Sequence, residues 1–189
     1  MFNKDHIFVK KYSNKLKALL EFKTDDINKI LDTKKIILKT KSKKSKILIF
    51  GNGGSSSIAS HFTVDMIKNS KIECMNFNEY NLITCLSNDF GYEHWIKKTL
   101  EFNLKKNDLV ILISSSGKSK NMLNAAKYIR QKNSKLITLT GFDKNNPLKK
   151  LGNINFWVDS KVYNIVENFH QIILLLINDL THLKLNNLK

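Results

Sequence analysis

Two short stretches of serine and glycine hold the residue types best suited to chemistry in this sequence. They read GNGGSSS over residues 51–57 and SSSGKS over residues 114–119. Glycine lets a backbone turn tightly and approach a ligand closely, and serine hydroxyls donate hydrogen bonds to anionic oxygens. Each stretch precedes a predicted helix, whose first N–H groups and dipole favour a negative charge. The two stretches together predict a phosphate-binding site.

A plainer interpretation is that both stretches are polar connectors whose serines cap the following helices. Either stretch alone fits that interpretation as well as it fits a phosphate site. Two such stretches, each directly after an apolar strand, favour the phosphate site. Neither contains the Gly-x-x-x-x-Gly-Lys-Ser/Thr loop of nucleotide-binding proteins or the dinucleotide pattern Gly-x-Gly-x-x-Gly.

Apolar runs and helical periodicity predict the elements that hold these loops. The spacing of leucine and isoleucine in the first forty residues predicts two helices that break near Lys23. Later segments predict strands at 47–50, 109–113, 136–139 and 154–158, and helices at 56–68, 121–131 and 162–185. This alternation indicates an α/β three-layer sandwich with a central parallel sheet flanked by helices. In such sheets, ligands bind beyond the carboxyl ends of the strands.

The length of 189 residues and the hydrophobic content of 42% fit a single folded unit with a substantial core. Within it we expect an N-terminal helical segment at residues 1–44 and a phosphate-binding domain at residues 45–189. No linker-like composition separates the two, so we expect one compact unit overall.

The formal net charge of +16 raises the question of a nucleic-acid partner. Arginine, the usual residue for bidentate recognition of bases and phosphates, occurs only once, as Arg130. The lysines are spread over the whole chain, and their densest run, residues 34–46, lies between a predicted helix and a strand. We therefore attribute the charge to a general lysine bias and expect no nucleic-acid partner. The positive field could also steer a small anionic substrate toward the protein.

Other features of the sequence favour a cytoplasmic location. No apolar stretch reaches the roughly 18 residues that a membrane-spanning helix requires. The charged residues at positions 1–11 are not followed by the apolar run of a signal peptide. Cys74 and Cys85 form no disulfide or metal-binding pattern. We therefore expect a cytoplasmic protein with no membrane partner.

Four segments resemble the phosphoheptose isomerases of the sugar isomerase (SIS) family. They are residues 51–55 with His61-Phe62, SNDFGYE at residues 87–93, residues 113–119 with Asn121, and TLTG at residues 138–141. The similarity runs from strand 47–50 to the C-terminal helix, in the order and spacing of the family. The resemblance implies that residues 45–189 form a SIS phosphosugar-binding domain.

The resemblance also implies a reaction. Phosphoheptose isomerases convert sedoheptulose 7-phosphate to D-glycero-D-manno-heptose 7-phosphate, an aldose–ketose exchange that supplies heptose precursors for surface polysaccharide. Such an exchange needs a base that removes a proton beside the carbonyl and an acid that returns one. The remote phosphate supplies binding and orientation. By resemblance, the phosphate is held by Ser55, Ser114, Ser116 and Ser119, and the sugar by Asn52 and Asp89.

The reacting groups of the family are a His and a Glu four residues apart after the first loop, with a Gln and a His on the last helix. They commonly hold a zinc ion. His61 and Asp65 occupy the first two positions, on one face of a helix. An ungapped alignment puts Glu167 at the Gln and Leu175 at the catalytic His, while His170 lies about one turn earlier. The candidate catalytic residues are therefore His61, Asp65, Glu167 and His170, and the candidate zinc ligands are His61, Asp65 and Glu167.

Three functions remain open from the sequence. The chain could isomerise sedoheptulose 7-phosphate, or it could isomerise another phosphosugar. It could instead be a phosphosugar-binding or regulatory protein without catalysis, which Leu175 and Asp65 favour. His170 could replace the missing histidine or only pack at a subunit contact. The resemblance also implies a homotetramer in which neighbouring subunits complete each site.

Overall fold

Seven helices and five strands make up the fold of residues 3–186, the part of the chain that the computed structural model describes. In chain order they are α1 (Lys4–Leu20), α2 (Thr24–Ser42), β1 (Ile47–Gly51), α3 (Gly54–Lys68), β2 (Cys74–Met75), α4 (Tyr80–Phe90), α5 (Trp95–Asn103), β3 (Leu109–Ser114), α6 (Lys120–Gln131), β4 (Lys135–Thr140), β5 (Ile154–Trp157) and α7 (Tyr163–Leu185). Every predicted element is present. The sequence did not predict β2, α4 and α5.

The predicted division near residue 44 falls in the short connection between α2 and β1. Residues 1–2 and 187–189, at the outer ends of the two predicted ranges, lie outside the described residues. Within residues 3–186, no helix combines the length and apolar character needed to cross a bilayer.

The break between α1 and α2 has a local cause in the charges at the start of α2. Asp26 accepts a hydrogen bond from the backbone N–H of Lys23 at 3.2 Å, so its carboxylate caps the helix start. Asp25 and Asp26 lie in the first turn, and Lys39 and Lys41 lie in the last turn. The helix dipole favours negative charges in the first turn and positive charges in the last turn, so both pairs stabilise α2.

The five strands form one parallel sheet in the order β2-β1-β3-β4-β5. This confirms the predicted parallel sheet. All residues of β1 and β3 are buried, as expected for central parallel strands covered on both faces.

Two hydrophobic cores cover the two faces of the sheet. Because side chains alternate along a strand, Ile47 and Ile49 of β1 enter the core formed with α2, α3 and α7. Leu48 and Phe50 enter the opposite core, which contains residues of α5 and α6. The predicted three-layer sandwich is therefore confirmed.

The chain changes its direction of winding between β1 and β3. β1 pairs with β2 on one side and with β3 on the other. α3, which follows β1, packs in one core, whereas α6, which follows β3, packs in the other. The two strand-to-helix loops therefore diverge, and a crevice opens between them at the carboxyl ends of the strands. This is where the sequence predicts the phosphate site.

Candidate functional site

The two serine loops leave neighbouring strands at the same edge of the sheet. We call residues 51–57 loop 1 and residues 114–119 loop 2. Gly51 of loop 1 is paired with Ile113, the residue before loop 2. The Ser119 hydroxyl at the start of α6 makes no capping hydrogen bond, and Gly53 before α3 has no side chain that could make one. The loop serines that the capping interpretation needs therefore make no such cap at these two positions, and the dipoles of both helix starts favour an anion.

The four serines predicted to hold phosphate all lie in loops 1 and 2. Ser55 is in the first turn of α3 and is buried. In loop 2 the hydroxyl oxygens of Ser114 and Ser119 are 3.4 Å apart. Ser116 accepts a hydrogen bond from a backbone N–H two residues later, at 3.2 Å. Two hydroxyls of loop 2, those of Ser114 and Ser119, are therefore adjacent.

Loop 2 turns sharply at Gly117. This residue has a φ of +62°, and a β-carbon there would collide with the side chain of Asn146. Glycine is required for both reasons. Beside it, the Lys118 ammonium lies 3.6 Å from the Asp143 carboxylate in an exposed ion pair. Lys118 is therefore a cation next to the serines.

Direct side-chain hydrogen bonds join loop 1 to the start of α6. The amides of Asn52 and Asn121 donate to each other's oxygens, at 3.1 and 2.9 Å. The Tyr92 hydroxyl donates to the same Asn52 oxygen at 3.1 Å. Asp89, the other predicted sugar contact, is exposed and approaches Asn88 and Cys85 on its own helix. The segment after β2 therefore reaches loop 1 through Tyr92.

His61 lies on α3 between a carboxylate and an amide. Its Nε2 is 3.4 Å from the Asp65 carboxylate, and its Nδ1 is 3.3 Å from the Gln171 amide nitrogen on α7. The predicted one-face arrangement of His61 and Asp65 is thus present. The His61 side chain is 48% exposed, so a substrate or a neighbouring subunit can reach it. Gln171 was not singled out from the sequence.

Glu167 on α7 packs against the start of α3. A β-carbon at Gly54 would collide with the Glu167 carboxylate, so the missing side chain of Gly54 makes room for it. Burial raises the pKa of the Glu167 carboxyl above its ordinary value. This group therefore holds a proton to a higher pH than an exposed glutamate.

His170 faces the sheet and not His61. The ring is fully buried, and its Nε2 is 3.1 Å from the Thr140 carbonyl oxygen at the end of β4. Burial lowers the pKa of His170 to about 4, so the ring is neutral near pH 7. This placement favours the alternative that His170 only packs or hydrogen-bonds, and its part in catalysis stays a prediction. Leu175 is half-buried and carries no proton.

Comparison with known proteins agrees with this geometry. The profile of the SIS domain matches residues 8–141. The chain belongs to the SIS-domain family. A phosphoheptose isomerase of Aliarcobacter butzleri is 34% identical over 142 residues, which span 72% of this chain and 75% of that protein. One of Helicobacter pylori is 31% identical over 150 residues, which span 76% and 78%.

The fold comparison covers nearly the whole SIS-domain chain. The structure of a phosphoheptose isomerase from Neisseria gonorrhoeae matches with a TM-score of 0.85 at 21% identity. The match covers 95% of this chain and 99% of that one. The helices and strands therefore follow the phosphoheptose isomerase fold from α1 to α7.

The zinc ligands expected from the SIS resemblance are not gathered within one chain. Among residues 3–186, no three His, Cys, Asp or Glu side chains lie close enough together to hold a metal ion. His61 and Asp65 are neighbours, but Glu167 is directed to Gly54 and does not complete a set of three. Catalytic zinc needs three protein ligands. The donors of a single chain therefore do not fit a zinc site.

Three residues at this site had no assigned role in the sequence. Asn121 and Tyr92 lie inside the motifs that resemble the family, so their positions were visible but their contacts were not. Gln171 directly follows His170, and one step along a helix rotates a side chain by about 100°. The relative rotation of α3 and α7 therefore decides which of these two neighbours faces His61, and the sequence does not reveal it.

Proposed function

We propose that this protein is an aldose–ketose isomerase of a phosphorylated sugar, with sedoheptulose 7-phosphate as the expected substrate. The observation that carries the proposal is the pair of helix starts that follow loops 1 and 2 and are joined by Asn52 and Asn121. Two helix dipoles and a set of hydroxyls then act on one phosphate group. Both curated relatives described above are phosphoheptose isomerases, which supports the same substrate class.

The proposed chemistry uses ionisable groups on α3 and α7. The phosphate binds at loops 1 and 2, which orients the sugar so that its carbonyl carbon lies near these groups. His61, paired with Asp65, is suited to take the proton beside the carbonyl. Glu167, with its raised pKa, is suited to return a proton to the carbon that carried the carbonyl, while the proton of the adjacent hydroxyl passes to the former carbonyl oxygen. No step of this scheme passes through a metal, and zinc in the assembled oligomer remains a prediction, checked by metal analysis of the purified protein.

We further propose a cytoplasmic enzyme that supplies heptose phosphates for surface polysaccharide, either lipopolysaccharide or capsule. The support is the chemistry of the expected product, since a heptose 7-phosphate is a precursor and not an end product. The next reaction must then act on the sugar phosphate at its anomeric carbon or its phosphate.

The proposed assembly is a homotetramer. In α1, which the structure describes in full, no residue is buried within one chain. Phe8 and Val9 of this helix are 66% and 64% exposed. Val64 and Ile67 of α3, on either side of Asp65, are also exposed. Exposed apolar side chains on helices beside a site support burial between subunits. Light scattering coupled to size-exclusion chromatography measures the mass, and a monomer would contradict the proposal.

The activity is tested by incubating purified protein with sedoheptulose 7-phosphate in D₂O and recording NMR spectra. An enediol route with proton exchange incorporates deuterium beside the carbonyl as the aldose signals grow. Absence of turnover, with and without added zinc, would contradict this activity. Other ketose and aldose phosphates are then screened by thermal shift, because a true ligand raises the melting temperature. A different sugar that binds and turns over would redirect the substrate assignment.

A second candidate function is phosphosugar binding without turnover. Leu175 favours it, because leucine stands where the family has its catalytic histidine. Substituting Leu175→His separates the two. A large gain of turnover would indicate an isomerase that has lost activity, whereas efficient wild-type turnover would exclude the binding-only function.

A further inference from the structure

We propose that Asn121 is a positioning residue that, with Asn52 and Tyr92, fixes loop 1 against loop 2 and so shapes the phosphate subsite. This inference rests on the proposed function. The two loops leave adjacent strands but enter helices on opposite faces of the sheet. Beyond the strand ladder they need a separate connection to keep their serines at a fixed separation. The amide pair of Asn52 and Asn121 supplies it.

The backbone determines the orientation of both amides. The backbone N–H of Met122 donates to the Asn121 side-chain oxygen at 2.9 Å. A backbone N–H can only donate, so the Asn121 side-chain atom beside Met122 must be the oxygen. The Asn121 nitrogen then donates to the Asn52 oxygen, which also accepts from the Tyr92 hydroxyl. Flipping either amide would place two donors or two acceptors against each other.

Counting donors and acceptors shows that the bracing role uses most of both side chains. The oxygen of Asn121 accepts from Asn52 and from Met122, and the oxygen of Asn52 accepts from Asn121 and Tyr92. Each oxygen has two lone pairs, so both are saturated. One amide hydrogen of Asn52 is left for the sugar contact that the SIS resemblance implies.

Burial makes the pair sensitive to substitution. Asn121 is only 1% exposed, and the polar partners that it leaves behind would have little water to replace it. Tyr92 is 53% exposed, so its hydroxyl contributes at the surface and its loss costs less. The order of effects is therefore Asn121, then Tyr92.

The test measures binding of inorganic phosphate by calorimetry, together with KM and kcat for sedoheptulose 7-phosphate. Asn121→Ala is expected to weaken phosphate binding and raise KM roughly tenfold, with a smaller change in kcat, since the brace acts on the binding loops. Asn52→Ala combined with Asn121→Ala is expected to weaken phosphate binding no more than the larger single effect, because the two residues act as one unit. Tyr92→Phe is expected to weaken phosphate binding about two- to threefold.

The matched control is Asn178→Ala. Asn178 is also 1% exposed, and its oxygen accepts a hydrogen bond from Ser70 at 2.9 Å, away from both loops. It is expected to lower the melting temperature as Asn121→Ala does, but to leave phosphate affinity unchanged. Equal phosphate affinity in wild type and Asn121→Ala, or an equal loss in Asn178→Ala, would overturn the inference.

Failure of the inference and failure of the proposed function give different results. Wild-type protein that binds neither inorganic phosphate nor sedoheptulose 7-phosphate overturns both. Wild-type protein that binds them while the single and double variants show additive losses overturns the brace alone. If Asn121→Ala does not fold, phosphate binding is measured instead in Tyr92→Phe, Asn52→Ala and the double variant. Additive losses of phosphate affinity in these variants would contradict the inference.

Discussion

The sheet edge where the strands end and the sheet edge where they begin carry different kinds of polar group. At the edge where the strands end, loops 1 and 2 carry serines, glycines and amides, with Lys118 as the cation of loop 2. At the edge where the strands begin, a cavity of about 330 Å³ is lined by several lysines. They are Lys39, Lys43, Lys106, Lys132 and Lys135. Positive charge alone would place an anion at the strand-start edge.

The direction of the helices is the reason why we propose the phosphate site at the strand-end edge. α2 and α6 end at the strand-start edge, so their carbonyl groups face the lysines and interact with them favourably. Non-glycine residues with positive φ, Lys44 and Asn133, follow these helix ends and turn the chain into the next strand. At the other edge α3 and α6 begin, and their N–H groups point to the crevice. We therefore expect anion binding to depend on backbone direction and hydroxyl geometry more than on lysine density.

The largest expected effect is at the strand-end edge. His61→Ala should lower kcat by about 10²- to 10⁴-fold, the usual contribution of a positioned acid or base. The control is His182→Ala, because His182 lies near the end of α7 with its Nδ1 2.8 Å from the Asn69 carbonyl oxygen. Steady-state kinetics measure kcat for both variants. Comparable losses of kcat in the two variants would show that the site has been assigned to the wrong residues.

The next effect is on stability, at the strand-start edge. Asp108 is buried, and it accepts hydrogen bonds from the Lys46 ammonium at 2.7 Å and from the backbone N–H groups of Lys46 and Lys105. Asp108→Ala leaves the Lys46 charge unpaired, which should lower the free energy of unfolding by about 3 to 5 kcal/mol. Urea denaturation measures the loss. The folded variant should keep its kcat, because Asp108 lies at the other edge from the loops.

The control for Asp108 is Glu101→Ala, which breaks the ion pairs of Glu101 with Lys98 at 2.7 Å and with Lys97 at 3.6 Å. Such a pair contributes only about 0 to 1 kcal/mol. If Asp108→Ala costs no more than this control, the buried pair does not organise the strand-start edge. If Asp108→Ala abolishes turnover while it stays folded, the functional separation of the two edges is incorrect.

A smaller effect is expected on KM. It compares the loss of one hydroxyl in loop 2 with the loss of one positive charge at the strand-start edge. Ser119→Ala removes a hydroxyl from loop 2 and should raise KM for the phosphosugar roughly tenfold. Lys43→Gln removes one positive charge from the strand-start cavity and should change KM less than about twofold, since an exposed charge at a distance is screened by salt. Kinetics at low and moderate salt give both values. A larger rise of KM in Lys43→Gln than in Ser119→Ala would reverse the comparison of the edges.

The sequence predicted the sheet and both loops because each depends on short, strongly patterned segments. β1 and β3 are unbroken apolar runs, and loops 1 and 2 follow them directly. The missed elements are short. β2 has only two residues, too few for a period. α4 and α5 do carry a core-facing apolar stripe, but they have only 11 and 9 residues, so the stripe covers few helical turns.

The catalytic side of the site was less predictable than the phosphate side. Backbone loops are fixed by local sequence, whereas the meeting of α3 and α7 depends on packing between helices that are far apart in the chain. His170 and Gln171 are neighbours, yet the first contacts Thr140 in the core and the second contacts His61 at the surface. An alignment without gaps identifies the helix turn but not its rotation.

An effect of similar size, on acid stability, concerns His170, which lies at the strand-end edge but belongs to the core. Its pKa of about 4 in the folded chain is below the value of 6.5 for an exposed histidine. Between these values the unfolded chain binds a proton that the folded chain does not, so acidification destabilises the fold. From pH 6.5 to pH 5, wild type should lose about 1 to 2 kcal/mol more than His170→Gln. Urea titrations at both pH values measure this difference.

His170→Gln should also keep its kcat, because the ring touches a backbone carbonyl and not the crevice. A large loss of kcat in a folded His170→Gln protein, with no change in acid stability, would indicate that His170 takes part in the reaction.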